Sequence, residues 1–170
     1  MPNEATQDTL IFPPLRRVVT GHDEAGRSVV WLDAHAVNQR EPADRLRTTL
    51  MWITDEAPDY AGTEDAGDRQ SGIAPPPGGS RFSMLQIAPG NRVAGLHRTD
   101  SIDYVICVKG RIDLLLEMGS TTLCAGDVAI QRGTMHGWYN SGDEPAVLAV
   151  VLVDAGPKRA DAVHGNQMAT

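Results

Sequence analysis

From residue 81 to residue 155 the chain alternates short runs of apolar and β-branched residues with turn signals, and no helical period competes with that texture. The runs at 82–87, 92–97, 102–108, 112–117, 121–124, 128–131, 137–140 and 146–153 each read as a strand. Between them stand Pro89-Gly90, Lys109-Gly110, Met118-Gly119-Ser120, Ala125-Gly126 and Ser141-Gly142-Asp143, residues that turn a chain because they supply positive φ, fixed φ or local side-chain hydrogen bonds. Strands this short and this evenly spaced predict an all-β fold with little helix, as a sandwich, jelly roll or barrel.

The N-terminal part continues the pattern. Residues 16–20 and 28–32 read as a hairpin around Asp23-Glu24-Ala25-Gly26, and 48–54 as a third strand, after a polar stretch at 38–47 that suits a short helix or loop. Residues 55–80 carry Pro58, Gly62, Gly67, Gly72 and the run Pro75-Pro76-Pro77, with acidic residues between, so they read as a long surface loop that is mobile or serves as a lid. The expected organisation is an N-terminal arm at 1–14 and one domain at 15–155. That domain divides into strands at 15–54, the loop at 55–80 and a barrel core at 81–155, and a loosely ordered tail follows at 156–170.

Composition narrows the function classes. A chain of 170 residues fits one domain, and 17 Gly with 11 Pro favour many turns. The formal charge of -7, from 15 basic and 22 acidic residues, has the wrong sign for neutralising nucleic-acid phosphates or anionic lipid, so neither nucleic acid nor a membrane surface is expected as a partner. The opening residues lack a basic segment followed by an apolar core, which makes the cytoplasm the expected location. Cys107 and Cys124 each lie inside an apolar run and read as reduced packing residues.

Two stretches carry candidate chemistry. The first has Gly90, His97-Arg98-Thr99, Asp103 and Gly110; the second has Gly126-Asp127, Gly133, His136 and Asn140. Alternation along a strand lets His97, Thr99 and, past a bend, Asp103 share one face, which is the interior if the sheet closes. His136 opens the strand after the Gly133-Thr134-Met135 turn, where antiparallel pairing can bring its ring opposite that group.

These stretches resemble the two motifs of the cupin superfamily, and HRTDSIDYVICVKG with GDVAIQRGTMHGWYN is similar to a subgroup of small single-domain cupins. The resemblance implies a double-stranded β-helix, or jelly-roll barrel, with N-terminal accessory strands, and a homodimer. It also implies a divalent metal held by three His and one Glu. This chain has His97, Thr99, Asp103 and His136 at those positions, so one imidazole is missing and the carboxylate is a methylene shorter. Two readings stay open. In one, His97, Asp103 and His136 bind Zn, Fe, Mn, Ni or Co. In the other they form a metal-free hydrogen-bonded cluster for proton transfer, with His97, Asp103 and His136 as catalytic groups.

Thr99, Arg132 and Trp138 are the candidate substrate contacts: Trp138 shares the face of His136, and an inward Arg132 could clamp a carboxylate. Arg98 and Arg111 lie near the motifs too, but the alternation that sends His97 inward sends Arg98 out. The function expected is a small-molecule enzyme, a decarboxylase or related lyase acting on a small organic or aromatic acid. An Fe(II) dioxygenase and a non-catalytic ligand-binding cupin are the alternatives.

Overall fold

A computed structural model describes residues 12–43, 45–91 and 95–156. The expected arm and tail therefore lie for the most part outside the described residues. The strands are β1 (Arg16–His22), β2 (Ser28–His35), β3 (Gln39–Ala43), β4 (Leu46–Thr54), β5 (Ser80–Ile87) and β6 (Ser101–Lys109). They continue with β7 (Arg111–Leu116), β8 (Gly119–Cys124), β9 (Val128–Arg132), β10 (His136–Tyr139) and β11 (Ala146–Asp154). Among the described residues a single 3-10 turn, Ala66–Asp68, is the helical content. The fold is all-β, as the strand spacing predicts.

Every pairing is antiparallel. Six strands form one sheet in the order β3-β4-β5-β11-β6-β9, three form a second in the order β10-β7-β8, and β1-β2 stand as a separate hairpin. The polar stretch at 38–47, expected as helix or loop, contains strand β3, which pairs with β4 at the edge of the large sheet. An edge strand needs no buried face, so polar residues and Pro42 are tolerated there and leave no alternation to read. Of the run at 92–97, residues 92–94 lie outside the description, and His97 joins the structure through an isolated bridge to His136.

The interior divides into a packed end and an open end. Ile87, Val105, Cys107, Ile112 and Leu148 are fully buried between the two sheets, and burial of each large aliphatic side chain contributes about 1.5–3 kcal/mol. Gly110 makes the tight β6–β7 turn at φ +75°, where a side chain would also crowd the Pro145 carbonyl, 3.0 Å from its Cβ. Toward the other end one row crosses the inner face of the large sheet. Gln131 on β9 lies opposite Asp103 on β6, Asp103 opposite Leu152 on β11, and Leu152 opposite Arg81 on β5.

The outer face of β6 and β9 is apolar as well: Tyr104 pairs with Ile130 and Ile106 with Val128, all of them exposed. Of the two cysteines, Cys107 is buried as expected, whereas Cys124 at the end of β8 is exposed, because alternation there turns Leu123 inward instead.

The loop at 55–80 is fastened to the rest at a point that its composition conceals. Arg17 of β1, 8% exposed, bonds the Asp65 carboxylate at 2.5 Å and the Met51 carbonyl at 3.1 Å. Its guanidinium crosses over Gly67, where a Cβ would lie 1.4 Å from Arg17 Nη1. Asn38 holds the same turn by donating to the carbonyls of Gly67 and Arg69.

Candidate active site

The open end of the barrel is a cavity of about 460 Å³. Its walls are apolar residues from five strands, including Leu46, Leu85, Val150 and Leu152, and Gly72 and Ile73 of the long loop close one side. Its polar lining gathers His97, Thr99, Asp103, Gln131, His136 and Arg81. A second, larger groove of about 640 Å³ runs between the β1–β2 hairpin and the loop. There Arg69 is engaged by Glu64 and Asp55 at 2.7 and 2.9 Å.

His97 and His136 are placed by backbone. Each donates its N–H to the other's carbonyl at 2.8 Å, and the two rings sit with centroids 4.5 Å apart, tilted by 57°. His136 is 5% exposed and its Nδ1 lies 2.9 Å from the Thr134 carbonyl oxygen. A carbonyl only accepts, so Nδ1 carries a proton, and in the neutral form of the ring the lone pair lies on Nε2. His97 is more exposed, and burial holds its pKa below the usual histidine range. The neighbouring His136 adds to that, while Asp103 opposes it.

Asp103 is 3% exposed and accepts the Ser101 hydroxyl at 2.5 Å. Ser101 Oγ in turn lies 2.6 Å from Thr99 Oγ, so with Ser101 donating to the carboxylate, Thr99 donates to Ser101. Burial raises the Asp103 pKa above the ordinary aspartate value; the Ser101 hydrogen bond and the charges of His136 and His97 limit the rise. Ser101, which no motif marks, joins the site through these two hydrogen bonds. Period two from Thr99 to Asp103 is the signal that places it on the same face.

Trp138 is 3% exposed, lines the cavity and meets His136 edge-on at 6.1 Å between centroids. Arg132 was expected at the cavity as a substrate contact and is not there: it is exposed, on the opposite side of β9 from Gln131. The glycine turn at 133 begins after the strand's alternation has turned residue 131 inward, and 132 follows outward. Arg98 and Arg111 are exposed too. Two other arginines line the cavity, Arg40 from β3 and Arg81 from β5, and the mixed polar and apolar residues at the start of β5 carry no sign of which way Arg81 faces.

Residues 83–153 match the Cupin_2 family, a cupin domain. The phomopsin biosynthesis cluster protein D of Diaporthe leptostromiformis is 37% identical over 139 residues, which is 75% of this chain and 73% of that protein. The cupin-domain-containing oxidoreductase virC of Hypocrea virens is 32% identical over 167 residues, 88% of this chain and 82% of its own length. The chain belongs to the cupin family. Among solved structures, that of KdgF from Halomonas sp. is similar with a TM-score of 0.47 and 16% identity, over 74% of this chain and 91% of that one.

Within this cupin, a divalent ion held by His97, Asp103 and His136 does not fit the side chains as they stand. Among the described residues no three His, Cys, Asp or Glu groups gather closely enough to hold a metal. The carboxylate is engaged by Ser101, and Thr99, at the position of the missing imidazole, belongs to the same hydroxyl chain. As they stand, the side chains offer an imidazole nitrogen at His136 Nε2, a second imidazole beside it, and a buried carboxyl with an elevated pKa. Among the described residues no helix is long and apolar enough to cross a membrane.

Proposed function

We propose that this cupin is a small-molecule enzyme of secondary metabolism that carries out proton transfer on an organic acid, as a decarboxylase or related lyase. The observation that carries the reading is the fixed tautomer of His136, whose Nδ1–H is committed to the Thr134 carbonyl beside His97 and Asp103 in an apolar cavity. Loss of carbon dioxide breaks a carbon–carbon bond and leaves its electron pair on the substrate, delocalised onto an adjacent carbonyl oxygen. Nε2 of His136 takes the proton of the departing acid group, the resulting imidazolium stabilises the oxygen that receives the electron pair, and the same proton is then delivered to carbon, while the apolar walls keep competing water away. Asp103 stabilises the imidazolium during the step. The relatives named for biosynthetic clusters support the metabolic setting.

Release of carbon dioxide from a panel of β-keto and aromatic acids tests the reading, with the expectation that wild-type protein acts on at least one and the His136→Ala variant does not. A second reading is an oxidoreductase, favoured by the word in the name of the virC relative. Anaerobic loading with Fe(II) followed by oxygen uptake in the presence of the same acids separates the two: uptake without release of carbon dioxide selects the oxidoreductase.

A further inference from the structure

Arg81 is the group in the cavity that the chemistry above leaves unexplained. It is 7% exposed and lines the cavity from β5. Its Nε has no hydrogen-bond partner, and among the described residues no carboxylate pairs with it. A buried N–H without a partner costs free energy, and a cation without a counter-charge in an apolar cavity is stabilised when an anion joins it. Burial first, and the nearby Arg40 guanidinium second, lower its pKa from the usual arginine value, as expected of a cation without a counter-charge. Arg40 lines the same cavity and is bonded to Gln70 Oε1 at 3.0 Å, so two cations share this end of the site.

A second orphan points the same way. Gln131 is 4% exposed, lines the cavity, and its Nε2 has no partner. Both orphans are N–H donors, and a ligand that satisfies them must bring acceptor oxygens. The row across the sheet separates them. Asp103 and Arg81 both face Leu152 from either side, which puts their backbones two strand spacings, about 9–10 Å, apart. Asp103 is engaged by Ser101 and makes no ion pair with Arg81, so an anion at Arg81 leaves the imidazole end free.

We infer that Arg81 is the carboxylate anchor of this cavity, holding the acid group of an organic-acid ligand. The ligand's apolar body lies along Leu85, Val150 and Leu152, and a carbonyl or hydroxyl oxygen at its other end meets Gln131 beside His97 and His136. The inference rests on the reading of the substrate as an organic acid and adds which end of it is recognised. A planar guanidinium suits a carboxylate because two parallel N–H bonds fix its orientation as well as its charge. A substrate that loses carbon dioxide at the imidazole end carries a second acid group, the one held here.

Calorimetric titration of the full chain with phenylpropanoate and with the isosteric phenylpropanamide tests the anchor. Wild-type protein should bind the carboxylate about tenfold or more tightly than the amide, the usual scale of a charge-assisted bidentate contact. Arg81→Met should bind both alike while unfolding at no lower temperature than wild type, because it removes an uncompensated charge. Arg81→Lys, which keeps the charge, should retain part of the preference and serves if the Met variant does not fold. Equal binding of the two probes by wild type, binding of neither, or a preference that persists in Arg81→Met overturns the inference. His136→Ala should keep the preference in full. If it does and no acid is turned over by wild type, the anchor stands and the enzymatic reading alone fails.

Discussion

His97 and His136 are joined through their main chains, each N–H donating to the other's carbonyl at 2.8 Å, with their ring centroids 4.5 Å apart and the rings tilted by 57°. The separation of the two imidazoles is set by this backbone bridge, and the side chains contribute little to holding it. Replacing either ring should therefore cost function far more than fold. His97→Ala and His136→Ala are each expected to lower turnover by about 10²-fold or more and to keep the far-UV spectrum of the wild type. A helical or unfolded spectrum in either variant would show that the rings themselves hold the bridge.

The depressed pKa of His97 makes stability depend on pH in a stated direction. Its folded-state value lies below the unfolded one, so the unfolded chain binds the proton more readily in the window between them. Stability from this residue should rise as the pH increases through that window, up to about the unperturbed histidine value of 6.5, and level off above it. Denaturant midpoints measured across this range should show the rise in wild type and a flatter profile in His97→Gln. An equally steep profile in the variant would assign the dependence to another group.

The hydroxyl chain Thr99–Ser101–Asp103 predicts a graded series. Asp103→Asn keeps the shape but loses the charge that stabilises an imidazolium, and turnover should fall by about 10²-fold. Ser101→Ala leaves the carboxylate in place without its donor, so the Asp103 pKa should climb further, shifting the acid limb of the pH–rate profile upward with a smaller loss at the optimum. Unchanged pH profiles for Ser101→Ala would remove the chain from the mechanism.

The loop at 55–80 should owe its placement to one buried ion pair. Asp65→Ala strips the counter-charge from Arg17, which is 8% exposed, and breaking such a pair destabilises by about 3 kcal/mol. Urea unfolding reads the loss, and limited proteolysis should cleave the variant within the loop sooner than the wild type. Equal cleavage rates would mean that Asn38 and the proline run hold the loop without Arg17.

The barrel was legible because its strands bury one face, and burial writes period two into residues such as Val105, Cys107, Leu148 and Val150. The edge strand β3 was not, since it buries nothing and so leaves no alternation. His97, Asp103 and His136 were visible as titratable residues at fixed offsets from glycine turns. Arg81 and Gln131 were hidden, because which side of a strand faces inward depends on register, and register is a property of the pairing between β5, β11, β6 and β9. The assignment of Arg132 to the cavity failed for that same reason, by one position.

Release of carbon dioxide by wild-type protein and by His136→Ala, measured side by side on β-keto and aromatic acids that include dicarboxylates, bears most directly on the cavity as an acid–base site. The arrangement of His136, His97 and Asp103 predicts release by the wild type, greatest for acids with a second carboxylate, and a fall of about 10²-fold or more in the variant. No release from any of these acids by the wild type, or equal release by both proteins, would contradict it.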